Sequence, residues 1–213
     1  MSAGGRGGAC PASGPVGLDG AGRGCRRARS RRRAGEGRRE RSRGSARVSS
    51  LERAKPLRTA RVGAMAAIGT FKFAAAEARK LTGEIVPLDA MSGGEGKLGF
   101  TLRVPIGVVG AISPFNFPLN LVAHKLAPAI AAGCPVVLKP ATQTPFSAIT
   151  LAELLIDEAG LPAGYLHVVT GGGRTVGNAI VEHDDIALIT FTGSPEVGWG
   201  IRAAAPRKRV GLE

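Results

Sequence analysis

The sequence predicts an α/β fold: a doubly wound parallel sheet, a projecting β-hairpin, and a basic N-terminal tail with no core of its own. Three observations predict it. Apolar runs without alternation recur at Val108 to Ile112, Pro135 to Leu138, Leu166 to Val169, Ala187 to Phe191 and Val210 to Leu212, the pattern of strands buried on both faces. A helix-length segment fills each gap, which makes consecutive βαβ units. Net charge is confined to one end: residues 1–63 hold 17 Lys and Arg against 4 Asp and Glu, whereas residues 64–213 hold 12 of each.

The tail comes first in the chain. Its "GRGCRRARSRRRAGEGRRERSRG" stretch has no aromatic and no large aliphatic side chain, so residues 1–50 are expected to be disordered for want of apolar surface to offset the entropy of ordering. The net charge of +13 therefore speaks for the tail alone, and nucleic acid is an expected partner only through it. Three readings of the tail stand side by side: an arm that binds RNA phosphates without sequence preference, an organellar transit peptide, and translated GC-rich upstream sequence. The many glycines and the missing apolar helical face count against the second. No apolar run reaches the ~18–20 residues of a bilayer span, so no membrane partner is expected. The chain is placed in the cytoplasm, with organellar targeting by the tail left open. Cys10 and Cys25 lie in the tail, Cys134 stands alone, and His124, His167 and His183 are scattered; no metal site is expected.

From about Leu51 the composition becomes that of a folded protein. Residues 64–80 read as an amphipathic helix with Met65, Ile68, Phe71 and Ala75 on one face, closed by Gly83. "KLGFTLRV" then alternates Leu98, Phe100, Leu102 and Val104 with polar or small residues, a half-buried strand. With "EIVPLD" before it, this makes a hairpin over about 84–104. Such a hairpin either packs on its own domain or pairs its free edge with another chain, and the second case implies a homo-oligomer. In the βαβ region, Asn116 with Pro118, Thr144 with Pro145, and Ser194 with Pro195 read as helix starts. Gly133 and Gly160 read as stops.

Ligands of an open parallel sheet bind at the carboxyl ends of its strands. That rule collects Asn116 after the first strand, Lys139 and Thr142 after the second, Gly171 to Gly173 after the third, and Gly193 with Ser194 after the fourth. "FTGSPEVG" suits a pyrophosphate, because free N–H groups and the helix dipole favour an anion there; a Gly-Ser pair is equally a plain helix cap. Neither GxGxxG nor GxxxxGK[ST] occurs. The residues alone thus lead to an anion or nucleotide site on a doubly wound sheet.

The run "RVPIGVVGAISPFNFPLNLVAHKLAPAIAAGCPVVLKPATQTP", followed by "EAGLPAGYLHVVTG", "HDDIALITFTGSPEVG" and "KRVGLE", resembles the cofactor-binding domain of the NAD(P)-dependent aldehyde dehydrogenase superfamily. The likeness covers about residues 51–213 and rests on several motifs in order. It implies a Rossmann-like domain, a small aldehyde as substrate and oxidation of that aldehyde to the carboxylic acid. By the same resemblance Asn116 is the oxyanion donor, Lys139 bonds the adenosine ribose, Gly193 permits close backbone approach, Ser194 meets the pyrophosphate and Val197 flanks the adenine. Gly171 and Gly173 line the nucleotide site. Helix capping by Asn116, turn formation by the glycines, and core packing by Phe191, Val197 and Trp199 are the structural alternatives. Where NAD-preferring relatives carry a Glu, this sequence has Thr142, which cannot repel a 2′-phosphate, so NADP is expected to be tolerated or preferred over NAD. Glu213 matches the general base that activates water for deacylation, and is expected to fray at the chain end. The family's Cys nucleophile lies beyond the last motif. Cys134 precedes its strand and sits roughly 15 Å from the carboxyl edge, so the chain is expected to be a fragment that does not oxidise aldehydes by itself. Two alternatives are a noncatalytic nucleotide- or RNA-binding protein with a basic arm, and a branch that reduces acyl phosphates or acyl-CoA.

Overall fold

The computed structural model describes residues 44–54 and 56–213. The tail up to residue 43, with Cys10 and Cys25, lies outside the described residues. Residues 44–53 are helical (α1), which carries helix seven residues into the stretch that composition assigned to the tail. The physical reason is small side chains: Ala46 is buried in one cluster with Ala60, Ala64, Leu119 and Ala123. Helices can close against each other on alanines, and a search for large apolar residues does not register them.

α2 spans Leu57–Glu77. Its buried stripe is Ala60, Ala64 and Ala67, with Phe71 half-buried, a spacing of four, three and four that keeps one helix face on α3. The expected face differs. Met65 is 62% exposed and Ala75 is exposed, because the alanine stripe, rather than the largest apolar residues, allows the close approach. A tight turn at Ala78–Lys80 ends the helix before Gly83. Gly83 serves the hairpin instead: a Cβ there would lie 1.6 Å from the Thr101 carbonyl oxygen.

The hairpin pairs β1 (Ile85–Val86) with β2 (Gly99–Phe100), antiparallel and two residues long each. Leu98, Phe100, Leu102 and Val104 are all exposed. The alternation expected of a half-buried strand is present in the sequence, but nothing among the described residues covers its apolar side.

The main sheet has five parallel strands, β3 (Val108–Ile112), β4 (Val136–Lys139), β5 (Leu166–Val168), β6 (Ile186–Phe191) and β7 (Arg209–Leu212), in the order β5-β4-β3-β6-β7. The chain winds outward from β3 to β5 through α3 (Pro118–Ala131) and α4 (Phe146–Glu153). It then returns across the sheet to β6 and β7 through α5 (Asn178–Glu182) and α6 (Pro195–Ala204). This is the expected doubly wound sheet, and its order reverses between β3 and β6. Alternation sorts the strands onto two cores. Val109, Ala111, Val136, Leu138 and Leu166 pack with Val122 and Leu126 of α3 and Ala148 of α4. On the other face, Ile186, Ile189, Phe191, Val108 and Val137 pack with Val181 of α5 and Ile201 of α6. Gly110 lets α5 sit close, since a Cβ there would lie 2.5 Å from Ile180 Cγ2. Cys134 belongs to the first core, before β4.

The helix signals divide. α3 closes on Gly133 at φ 74°, with Gly133 N–H bonded to Ile130 and Cys134 N–H to Ala129, the paired pattern of a left-handed C-terminal glycine. Ser194 caps α6, accepting from Val197 N–H at 3.5 Å. Asn116 and Thr144 do not cap their helices: Phe117 occupies the cap of α3 and Pro145 that of α4, neither through a side chain. Thr144 is buried immediately before that cap. The cap of α4 comes from far away in sequence, where the Glu52 carboxylate of α1 accepts from the N–H groups of Phe146 and Ser147 and from the Ser147 hydroxyl. A carboxylate at that position satisfies orphan donors and the helix dipole together.

Candidate functional site

Ile112, Lys139, Phe191 and Leu212 stand at one level across β3, β4, β6 and β7. The residues that follow therefore form a single carboxyl edge. Onto it come the loop holding Asn116, then Lys139, Thr142 and Gly171, and beyond them Gly193, Ser194 and Glu213. Every site residue read from the sequence is on this edge or on a helix leading from it.

Lys139 is the most constrained of them. It is 4% exposed, its stem passes 3.9 Å beneath the place where a Cβ of Gly177 would be, and its ammonium donates to the Pro140 carbonyl at 3.2 Å. Among the described residues that carbonyl is its one partner, although an ammonium has three donors. Burial pushes its pKa below the ordinary lysine value. Thr142 ties the β4 loop to the β5 loop by donating to the Gly171 carbonyl at 3.0 Å. The glycines differ in purpose. Gly171 has φ 152° and its missing Cβ makes room for Val176; Gly173 faces open space; at Gly193 a Cβ would lie 2.3 Å from the Phe191 ring. Gly193 is thus required by its neighbour Phe191 before any ligand is considered.

Gly173, Arg174, Gly177, Phe191, Val197 and Ile201 line a cleft of about 420 Å³ between the α5 and α6 sides of the edge. A wide helical turn, Gly173–Gly177, opens it, with Gly177 N–H reaching back five residues to the Gly172 carbonyl at 3.3 Å. Widened turns of this kind recur at functional sites. Val197 is about half exposed on the cleft wall, while Trp199 lies on the exposed side of α6.

The opposite face of β6 carries a second group. Lys125 of α3 is buried, and its ammonium donates to Thr192 Oγ1 at 2.7 Å and Thr190 Oγ1 at 3.2 Å, 3.7 Å from Glu213 Oε2. Thr192 Oγ1 in turn donates to Glu213 Oε2 at 2.8 Å. Burial lowers the pKa of Lys125, and the Glu213 carboxylate partly offsets this. Sequence reasoning missed Lys125, Thr190 and Thr192. The signal was there: Lys125 falls on the apolar stripe Val122, Leu126, Ala129, where an unpaired lysine is out of place. The expected fraying of Glu213 does not occur. Its N–H donates to Phe191 O at 3.0 Å and its carbonyl accepts from Gly193 N–H at 3.3 Å, so it continues the ladder. Asn116 is exposed on its loop, where its Oδ1 accepts from Phe117 N–H at 3.1 Å.

A profile of the aldehyde dehydrogenase family matches residues 23–213. The chain belongs to that family. The match begins before Leu51, so the likeness extends into the stretch read as tail. The chain is 48% identical over 168 residues to 3-sulfolactaldehyde dehydrogenase of Priestia megaterium, covering 79% of this chain and 35% of that protein. Among solved structures it resembles aldehyde dehydrogenase 21 from Physcomitrella patens in complex with succinate, with TM-score 0.78 and 41% identity over 84% of this chain and 37% of that one. It also resembles the glyceraldehyde-3-phosphate dehydrogenase of Methanocaldococcus jannaschii complexed with NADP, with TM-score 0.74 and 38% identity over 84% and 38%. The chain therefore spans little more than a third of the length of these aldehyde dehydrogenases.

Proposed function

We propose that this chain forms the cofactor-binding part of an aldehyde dehydrogenase that oxidises an aldehyde to the carboxylic acid with NAD or NADP. The observation that carries the reading is the buried Lys139, with donors to spare at the carboxyl edge beside an open cleft. A dinucleotide fits that arrangement: ribose hydroxyls accept from Lys139, the Ser194 hydroxyl keeps its proton for a phosphate while its oxygen caps α6, and Val197 and Phe191 offer apolar walls to the adenine. Gly171 and Gly173 shape the cleft mouth. When bound, the nicotinamide cofactor accepts a hydride. The Asn116 side-chain amide donates to the substrate oxygen where negative charge builds. Glu213, oriented by Thr192 and Lys125, takes a proton from the attacking water. Among the described residues the single cysteine, Cys134, is in the core, so no nucleophile is assigned to this part.

Thr142 leaves room and no opposing charge for a 2′-phosphate, which favours NADP. The apolar side of the hairpin, Leu98 to Val104, supports assembly as a homo-oligomer. No helix among the described residues is long and apolar enough to cross a membrane. Quenching of the single tryptophan, Trp199 on α6, provides the test. NADP and NAD are each expected to quench it saturably in the full chain, NADP at lower concentration. Absence of binding by both at millimolar concentration removes the reading, and NAD tighter than NADP removes the cofactor preference.

A further inference from the structure

We propose that Glu52 and Arg53, the last two residues of α1, are positioning residues that hold the two loops of the candidate site in register. The inference rests on the cofactor reading above and goes beyond it by naming what sets the spacing between its ribose end and its oxyanion end. Ser113 N–H donates to the Lys139 carbonyl at 3.1 Å, just past the last pair of the β3–β4 ladder. Beyond that bond both strands leave the sheet, one toward Asn116 and the other toward Thr142. Glu52 reaches the second loop: its carboxylate accepts from Phe146 N–H, from Ser147 N–H at 3.1 Å and from the Ser147 hydroxyl. Residues 140–145, Thr142 among them, thus run between a strand end at Lys139 and a fixed helix start. Arg53 reaches the first loop. Its guanidinium carbon lies 4.5 Å from the centroid of the Phe115 ring, a cation–π contact on the residue next to Asn116. Phe115 is 45% exposed, so the core does not fix its place. Arg53 Nε is buried without a hydrogen-bond partner among the described residues, as expected where a ring rather than an acceptor holds the guanidinium. Because Glu52 and Arg53 are consecutive, one helix end meets both loops. Ala54 follows at φ 48°, left-handed backbone that is costly for a residue with a Cβ; such a conformation persists where neighbours hold the chain. Neither Glu52 nor Arg53 lines either cleft, so their effect on a ligand passes through the loops.

Amide hydrogen exchange on the full chain tests the holding, and titrations with adenosine 5′-monophosphate and with NADP, read by Trp199 fluorescence, test its purpose. Glu52→Gln should speed exchange at Phe146 and Ser147 about tenfold, because a neutral amide replaces a charged acceptor. Arg53→Ala should speed exchange across residues 115–117 about threefold, the worth of one exposed cation–π contact, and Arg53→Lys should restore part of the protection. Amides of β3 and β4 should change by less than the loop amides do, which separates loosened loops from a destabilised fold. The titrations should split in the same way. Glu52→Gln should weaken both probes, since Lys139 and Thr142 belong to the segment it fixes. Arg53→Ala should leave monophosphate affinity within about twofold of wild type and weaken NADP roughly threefold, since the nicotinamide must lie beside the carbon whose oxygen Asn116 serves. Loop rates that rise no more than those of β3 and β4 would mean that the pair only stabilises the fold, and would overturn the inference. Variants that bind both probes as wild type does would overturn it as well, with cofactor binding left standing. If wild type itself binds neither probe, the cofactor reading falls and the positioning role with it.

Discussion

The two faces of the parallel sheet are built from the same strands and end in different chemistry. On the α3 and α4 face the polar groups that reach the carboxyl edge, Lys125, Thr190 and Thr192, are bonded to one another and to Glu213, which borders a second cleft of about 520 Å³ between α2 and α3. The α5 and α6 face opens at the same level into a cleft of about 420 Å³, and Lys139, turned to that side, has one carbonyl partner among the described residues. β6 serves both, because alternation sends Thr190 and Thr192 one way and Phe191 the other. A satisfied polar cluster beside an unsatisfied one marks which side waits for a ligand. A buried donor without acceptors is costly unless something binds it.

The sharpest way to break this contrast is Lys139→Met. In the wild type the folded pKa of Lys139 lies below its unfolded value of 10.5. The folded state therefore holds fewer protons between the two values, and stability rises with pH across that window. Below the lowered pKa the charge is held at a cost. Methionine keeps the stem and removes that cost, so the variant should melt a few degrees higher near neutral pH and lose part of the alkaline rise. It should also bind NAD and NADP at least ~10-fold more weakly, since a hydrogen bond from a charged group is lost. A variant that is more stable and still binds cofactor normally would show that Lys139 does not belong to the site.

Gly110→Val tests the packing that holds the cleft side together. A Cβ at Gly110 would meet Ile180 Cγ2 at 2.5 Å and Ile186 Cγ2 at 3.2 Å, so α5 must shift away from β3. Overpacking of this kind costs about 1–3 kcal/mol. Cofactor affinity should fall with stability, because Gly177 and Val181 move with the helix. Chemical denaturation reads the first effect and titration the second. Unchanged values for both would mean that α5 has slack beside β3.

The sheet was legible in the sequence because strands buried on both faces write continuous apolar runs. Of the five predicted, Val108 to Ile112 coincides with β3, and the others begin or end within a residue of theirs. The carboxyl-edge rule then placed Asn116, Lys139 and Ser194 together without any knowledge of their contacts. What could not be read has two causes. The α1–α2–α3 contact runs on alanines, which carry almost no hydropathy contrast, so Met65 looked like the buried residue and Ala64 did not. The Glu52 cap and the Lys125–Thr192–Glu213 group join residues 94 and 67 positions apart, and no local pattern records a bond that only the tertiary fold creates.

The smallest effect on cofactor binding should come from Lys125→Met, which alters the α3 face alone. Removing one partner of a buried ion pair is damaging when the other stays buried. Glu213, however, keeps 57% of its side chain in contact with solvent, so water takes the place of the ammonium and Thr192 continues to donate to the carboxylate. The methionine fills the stem volume between Val122 and Leu126. Lys125 also has its folded pKa lowered, by burial against the opposing pull of Glu213, so its contribution to stability rises with pH up to 10.5 in the same sense as that of Lys139. The variant should therefore stay within about 1 kcal/mol of wild type near pH 7, and lose part of the rise toward pH 10. It should bind NADP within about twofold of wild type, a difference below ~0.5 kcal/mol. Combining it with Lys139→Met should flatten the alkaline rise further while adding nothing to the loss of cofactor affinity, because the two lysines lie on opposite faces and share no partner. A Lys125→Met variant that lost cofactor as severely as Lys139→Met would mean that β6 transmits strain from one face to the other, and that the two chemistries are coupled through its backbone.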